Sequence, residues 1–431
     1  MVEGGAKASA AGEDYGSPAY RWYALFVLIL VFACHAMDRG LPGVLVEPIK
    51  ADFGLKDSQI GLITSSSYGI AFALAVVPMG MLSDRLNRRN LLAVLLIGWS
   101  LCTALGGFAR NFWQLAAARI GVGIAESGGM PISMPMVTDM FPARSRTTAI
   151  GIYYINSSLG AFLAGALGGW VAQHYGWRIA FMLVGAPGVL LAILLLLTVR
   201  EPRRGGYEAP VDVEKEPAPP LSEVIAFLLR SPGFLCIIVG SALVSLVSVA
   251  SGMWAGSFFI RIHHLSLTEV GLILGLGGGL FGAFAPPISG YIADRLAGRD
   301  ERWTLRVVWI SLLVSLSAGL VMLFSPLVAL SIAGYMLMDF FRSSFAALTF
   351  AELMGHSPVR MRGTIMSFIQ MMSVFMAFGV GPALVGVLSD LHGGGAAIRY
   401  ALRDAVMLLL VSVALYIVGS RFLYGRRVRP A

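Results

Sequence analysis

The chain predicts an all-α membrane protein: twelve transmembrane helices in two pseudo-symmetric six-helix bundles. Three observations lead there. Hydrophobic residues make up 57% of the 431 and charged residues only 13%, where soluble domains carry roughly a quarter charged. Twelve apolar stretches have about the 20 residues a helix needs to cross a bilayer. The last six of them repeat the first six in order and in signature residues.

The first 20 residues are polar and small. They lack the basic, apolar and cleavage-site order of a signal peptide, so they read as a disordered cytoplasmic tail. Apolar runs follow at 21–46, 59–83, 90–109, 112–139, 147–172 and 177–199, an N-terminal bundle over 21–199. Residues 200–231 carry prolines at 202, 210, 217, 219 and 220 among mixed charges and read as a flexible cytoplasmic linker, with 221–231 able to form a short interfacial helix. Runs at 233–260, 267–293, 304–324, 327–354, 363–389 and 400–423 give a C-terminal bundle over 232–424, and 425–431 is a basic tail.

The net charge of +8 lies mainly in alternate short loops, among them Arg85, Arg88, Arg89, Arg144 and Arg146. That is the positive-inside pattern, which puts both termini in the cytoplasm and makes the bilayer, not nucleic acid, the partner of these charges. Only four lysines stand beside the many arginines, as expected of a GC-rich bacterial gene, so a bacterial inner membrane is the expected location. Cys34, Cys102 and Cys236 lie in apolar runs with no disulfide or metal spacing. No catalytic motif is present, so an enzyme is not expected. No cofactor is expected either, and the chain reads as a monomer driven by the proton gradient.

The repeat is collinear. Gly80, Asp84 and Arg85 end the second run, and Gly290, Asp294 and Arg295 end the eighth, 210 positions later. Pro142, Arg144 and Arg146 precede the fifth run, and Pro358, Arg360 and Arg362 precede the eleventh, 216 positions later. A parallel six-plus-six repeat is a plan of secondary transporters, with the substrate site near the midplane between the halves.

Charges inside the apolar runs mark the candidate site, because each costs at least ~2.5–3.5 kcal/mol to insert. Asp38 and Arg39 lie in the first run, one turn after His35, a possible proton relay or a hydrogen-bonded core histidine. Arg119 and Glu126 lie seven apart in the fourth run, nearly on one helical face and about 10 Å apart along the axis. Counting residues from the run ends puts Asp38 and Arg39 between Arg119 and Glu126 in depth. An Asp38–Arg119 ion pair with Glu126 available to Arg39 follows. A carboxylate facing Arg119 stays ionised, and one from which the arginine is drawn away takes up a proton. In the tenth run Asp339 and Arg342 share a face, Arg342 falling 216 after Glu126, as either a second binding charge or a self-neutralised pair. Asp139 and Glu352 are expected to pair with the nearby Arg144 and Arg360. Aromatic and Met residues of the second half, such as Trp254, Phe258 and Phe259, read as packing residues or as an apolar cavity wall.

The loop Gly80–Arg89, GMLSDRLNRR, resembles the signature between helices two and three of the major facilitator superfamily. Asn87 stands where a glycine is usual, an exchange that a left-handed backbone tolerates. The resemblance implies that Gly80, Asp84, Arg85, Arg88 and Arg89, with Asp294 and Arg295 in the repeat, latch the cytoplasmic ends of the halves in the outward-open state. Met37-Asp38-Arg39, Trp99, Phe112-Trp113, Gly121 and Gly123 with Glu126, Tyr153-Tyr154, and Arg200-Glu201-Pro202-Arg203 are similar to the spinster group over residues 30–204. That resemblance implies a transporter of lysophospholipids or sphingosine-type phosphates, with Asp38, Arg119 and Glu126 as its polar core. The expected function is alternating-access transport of an amphipathic, lipid-like substrate coupled to protons. The alternative is a proton-coupled transporter of small organic anions or drugs in the same fold.

Overall fold

The computed structural model describes residues 15–204, 221–358 and 361–425, which fold as helices joined by short turns. Most of the linker and the N-terminal tail assigned from sequence lie outside these residues, as do positions 426–431 of the basic tail. The spanning helices are α1 (Pro18–Phe53), α2 (Asp57–Arg85), α3 (Arg88–Gly106), α4 (Phe112–Glu126 continuing as Gly129–Met140), α5 (Thr148–Tyr175) and α6 (Trp177–Thr198). A linker helix, Leu221–Arg230, leads into α7 (Pro232–His263), α8 (Leu267–Ala297), α9 (Trp303–Phe324), α10 (Val328–Ser343 continuing as Phe345–His356), α11 (Thr364–Leu391) and α12 (Ile398–Gly425).

Among the described residues, ten helices are long and apolar enough to cross a membrane. The other two, α4 and α10, are interrupted at Ser127–Gly128 and at Ser344, so the break recurs 216 positions on at the same place in the repeat. Local chemistry sets the ends. Ser17 caps α1 by accepting the Tyr20 N–H, Pro18 opens its first turn, and Gly54, at φ +62°, closes it. At 36 residues α1 runs about 54 Å. It therefore continues past the expected end at 46 and carries Glu47 and Lys50 as helical residues. Asn87 is not left-handed as the sequence comparison suggested: at φ −64° it caps α3, its side chain accepting the Asn90 N–H at 2.9 Å. A glycine could not make that bond.

With an even number of spans, both termini emerge on one side of the bundle, here called the termini side. On the opposite, far side the halves meet backbone to backbone. A Cβ added to Gly165 of α5 would lie 2.2 Å from the Gly271 carbonyl of α8, and one on Gly169 2.5 Å from that of Leu267. Between α2 and α11, Gly61 faces the Pro382 carbonyl and Gly386 that of Asp57, at 2.6 and 2.4 Å. Glycine is needed here for close approach. On the termini side, a Cβ on Gly80, Gly151, Gly290 or Gly355 would meet nothing within 4 Å. There Ala285–Ala297 of α8 packs on α9 and α10 of its own half. The halves are closed on the far side and parted on the termini side.

Candidate functional site

Four helices of the first half converge on a charged cluster at mid-depth. Asp38 of α1 and Arg119 of α4 form an ion pair at 3.0 Å, both fully buried, and Thr103 of α3 donates its hydroxyl to the other Asp38 oxygen. Two helical turns beyond Arg119 along α4, toward the termini side, lies Glu126. Tyr68 of α2 donates to its Oε2 at 2.7 Å, His35 Nε2 lies 3.3 Å from that oxygen, and Arg39 Nε lies 3.6 Å away. Arg39 Nε in turn donates to the Tyr68 hydroxyl at 2.6 Å. Gly123 lets this packing form, since a Cβ there would sit 2.4 Å from the Tyr68 carbonyl.

Exposure separates the charges. The Glu126 side chain is 0% exposed and that of Arg39 26%. Around the Arg39 guanidinium stand the rings of Phe378, Phe72 and Tyr68, at 4.8, 5.2 and 5.6 Å. Phe378 comes from α11, so Arg39 lies at the seam between the halves. With His35 neutral, two carboxylates and two guanidinium groups balance. Glu126 Oε1 and Arg119 Nε are nevertheless buried without a hydrogen-bond partner among the described residues. Two buried polar atoms left unpaired is a costly arrangement, and both belong to groups able to change partner.

The structure thus gathers Asp38, Arg39, Arg119, Glu126 and His35 into one cluster. Tyr68, which links Arg39 to Glu126, and Phe378 were missed from sequence, because an aromatic residue in an apolar run looks like packing. Asp339 and Arg342 sit apart from the cluster. They pair with each other, and Arg342 also donates to the Val247 carbonyl of α7 at 3.0 Å, so this pair is self-neutralised and pins α10 to α7. Trp254, Phe258 and Phe259 are fully buried packing residues, the Trp254 indole donating to the Pro382 carbonyl.

Among the described residues, the loop bonds within its own half. Arg88 pairs with Asp139 at 2.7 Å, and the backbone N–H groups of Arg88 and Arg89 donate to Glu201. Arg204 donates to the carbonyls of Ser83 and Leu86 that end α2. Asp84, Arg85, Asp294 and Arg295 are exposed, Arg295 reaching only Tyr291. Glu352 accepts from Tyr424 at 2.6 Å and faces His356; Arg360, its expected partner, lies outside the described residues.

A second charged group occupies the far side. Arg261 of α7 contacts both Asp57 oxygens, at 2.7 and 2.8 Å, and Glu47 at 2.7 Å. The signal for it in the sequence was an arginine at the end of a span where the charge rule places few.

The sequence profile of the Major Facilitator Superfamily matches residues 28–307. Over 385 residues the chain is 34% identical to an MFS-type efflux pump of Mycolicibacterium smegmatis, covering 88% of this chain and 86% of the relative. It is 25% identical over 367 residues to a probable galactarate/D-glucarate transporter of Bacillus subtilis, covering 80% of each. In structure it is similar to a bacterial homologue of the human lysosomal transporter spinster, solved in an inward-facing and unoccupied conformation. The TM-score is 0.85 and the identity 26%, over 96% of this chain and 100% of that one.

Proposed function

The chain belongs to the Major Facilitator Superfamily, and we propose that it moves an amphipathic anion of lysophospholipid or sphingosine-phosphate type by alternating access, coupled to protons. The observation that carries this reading is Arg39. It is the one charge of the central cluster that is part-exposed, it is a cation, and aromatic rings from both halves flank it. An anionic head on Arg39 competes with Glu126 and Tyr68 for the guanidinium. Once Arg39 is drawn away, Glu126 is a buried charge with weakened compensation, which a proton neutralises. Anion and proton are therefore expected to bind together.

The tail has a route. On the termini side of the close approach of Gly279 to Ser158, the apolar side chains Tyr154, Ile155, Phe284 and Ile288 of α5 and α8 are exposed, surface suited to an acyl chain. The arginine distribution supports reading the termini side as cytoplasmic and the conformation as inward-facing, and a bacterial inner membrane is the location that fits this reading. A second reading, a small hydrophilic organic acid, uses the same Arg39 contact and has the Bacillus subtilis relative in its favour.

Competition binding to the purified protein in nanodiscs separates the two, with a lysophospholipid, galactarate and a cationic dye as competitors. The lysophospholipid is expected to compete, and Arg39→Gln to weaken it about 10–100-fold, the worth of one charge-assisted contact. Competition by galactarate alone would replace the lipid reading with the second.

A further inference from the structure

We infer that Asp57 and Arg261 form the far-side gate of the transport cycle, a charge latch that holds the present conformation and must break for the far side to open. The inference depends on no assignment of substrate.

Asp57 opens α2 in the first half, and its side chain is completely buried although it lies at a helix end. Its carboxylate takes two guanidinium contacts from Arg261 of the second half, the Ser389 hydroxyl of α11 at 2.6 Å, and Lys50 of its own half. Arg261 is held on its other edge by Glu47. A second tie runs the opposite way: Asp390 of α11 accepts the backbone N–H groups of Asp57 and Ser58, at 3.1 and 2.9 Å. Lys56 stands at the N-cap of α2, where no side-chain oxygen of its own half can do this. The start of α2 is thus capped by the other half of the protein.

These contacts join α1 and α2 to α7 and α11 across the seam, at the end where the halves are closed. At the parted end Asp84, Arg85, Asp294 and Arg295 are exposed. A two-state element with differential contacts in its two states is what a gate requires. When the far side opens, Asp57 and Arg261 must separate. Each keeps a neighbour of opposite charge, Lys50 and Glu47, so neither is left as a lone charge. That makes the latch reversible, where a single isolated pair would be costly to break.

The test uses the full-length protein in nanodiscs, native cysteines replaced, spin-labelled at Phe108→Cys and Leu327→Cys. These two exposed far-side positions lie one in each half. Wild type is expected to show mainly the shorter distance. Asp57→Asn and Arg261→Gln are each expected to raise the longer-distance population relative to the shorter about 10-fold, within the usual range of coupling effects. The double variant is expected to match either single one, because both remove the same latch, and Asp57→Glu to keep the wild-type distribution. An unchanged distribution in either folded single variant overturns the inference, as does a double variant whose shift is the product of the two. Should one single variant fail to fold, the other tests the pair from its opposite partner.

Discussion

Replacing Glu126 by glutamine is expected to lower proton-driven transport about 100-fold, equivalent to ~2.7 kcal/mol, while exchange of substrate without a gradient stays within about threefold of wild type. The amide keeps the shape and can still accept the Tyr68 hydroxyl, but it cannot exchange a proton. Its neighbours explain why the effect should be specific. Glu126 shares Arg39 with the surface of the cavity and carries a buried oxygen with no partner among the described residues. Asp38 has a different position, held by Arg119 and Thr103 with almost no exposure. Arg119→Ala leaves Asp38 buried without its partner, a loss of about 3–5 kcal/mol readable as a lower unfolding temperature of the purified protein. The double variant Asp38→Asn, Arg119→Gln is expected to recover much of that stability without recovering transport. Proteoliposomes with an imposed pH gradient read the transport arm. Normal coupling in both Glu126→Gln and Asp38→Asn would refute the proton role assigned to this cluster.

Gly165→Val should lower transport by a different route. Its first side-chain atom would lie 2.2 Å from the Gly271 carbonyl and 2.8 Å from the Gly275 nitrogen, and both are backbone atoms that cannot swing aside. Since α5 and α8 belong to different halves, each bundle stays intact and the strain falls on the far-side seam. The halves are forced apart there, and transport is expected to fall about 100-fold, as a barrier increase near 2.7 kcal/mol would give. Gly80→Val is the informative contrast. In the present conformation its added atoms meet nothing, so binding from the termini side is expected to survive. If Gly80 packs closely when that side closes, turnover is lost all the same. Equal behaviour of the two variants in a binding assay would sink the account of a seam closed at one end only.

Much of the central cluster was legible because depth in a helix is countable. At 1.5 Å per residue, the positions of Asp38, Arg119 and Glu126 along antiparallel runs put them within reach of one another. The repeat was legible for the same reason, as a constant displacement in the chain. The far-side latch was not. Its partners, Asp57 with Arg261 and Asp390, lie more than 200 positions apart, and no sequence pattern sets the register of one bundle against the other. The end of α1 was placed seven residues short, which left Glu47 and Lys50 in a loop and hid their role. Tyr68 and Phe378 were hidden by chemistry, since their rings suit an apolar span whether or not a guanidinium lies against them. Asp339 and Arg342 had two readings from spacing alone, and it is their contact with each other, with the Val247 carbonyl beside it, that favours the self-neutralised one.

The cap that Asp390 places on the first turn of α2 has a consequence for how the cycle can be watched. The amide hydrogens of Asp57 and Ser58 are bonded to a carboxylate that belongs to the opposing bundle, so their shelter from solvent lasts only as long as the two bundles touch there. Amides farther into α2, such as that of Ile60 on the Lys56 carbonyl, are bonded within the helix itself, so their shelter does not depend on the opposing bundle. Deuterium uptake at the first turn, set against uptake one turn deeper, is therefore a label-free clock for the far-side opening, native to the backbone and independent of any ligand.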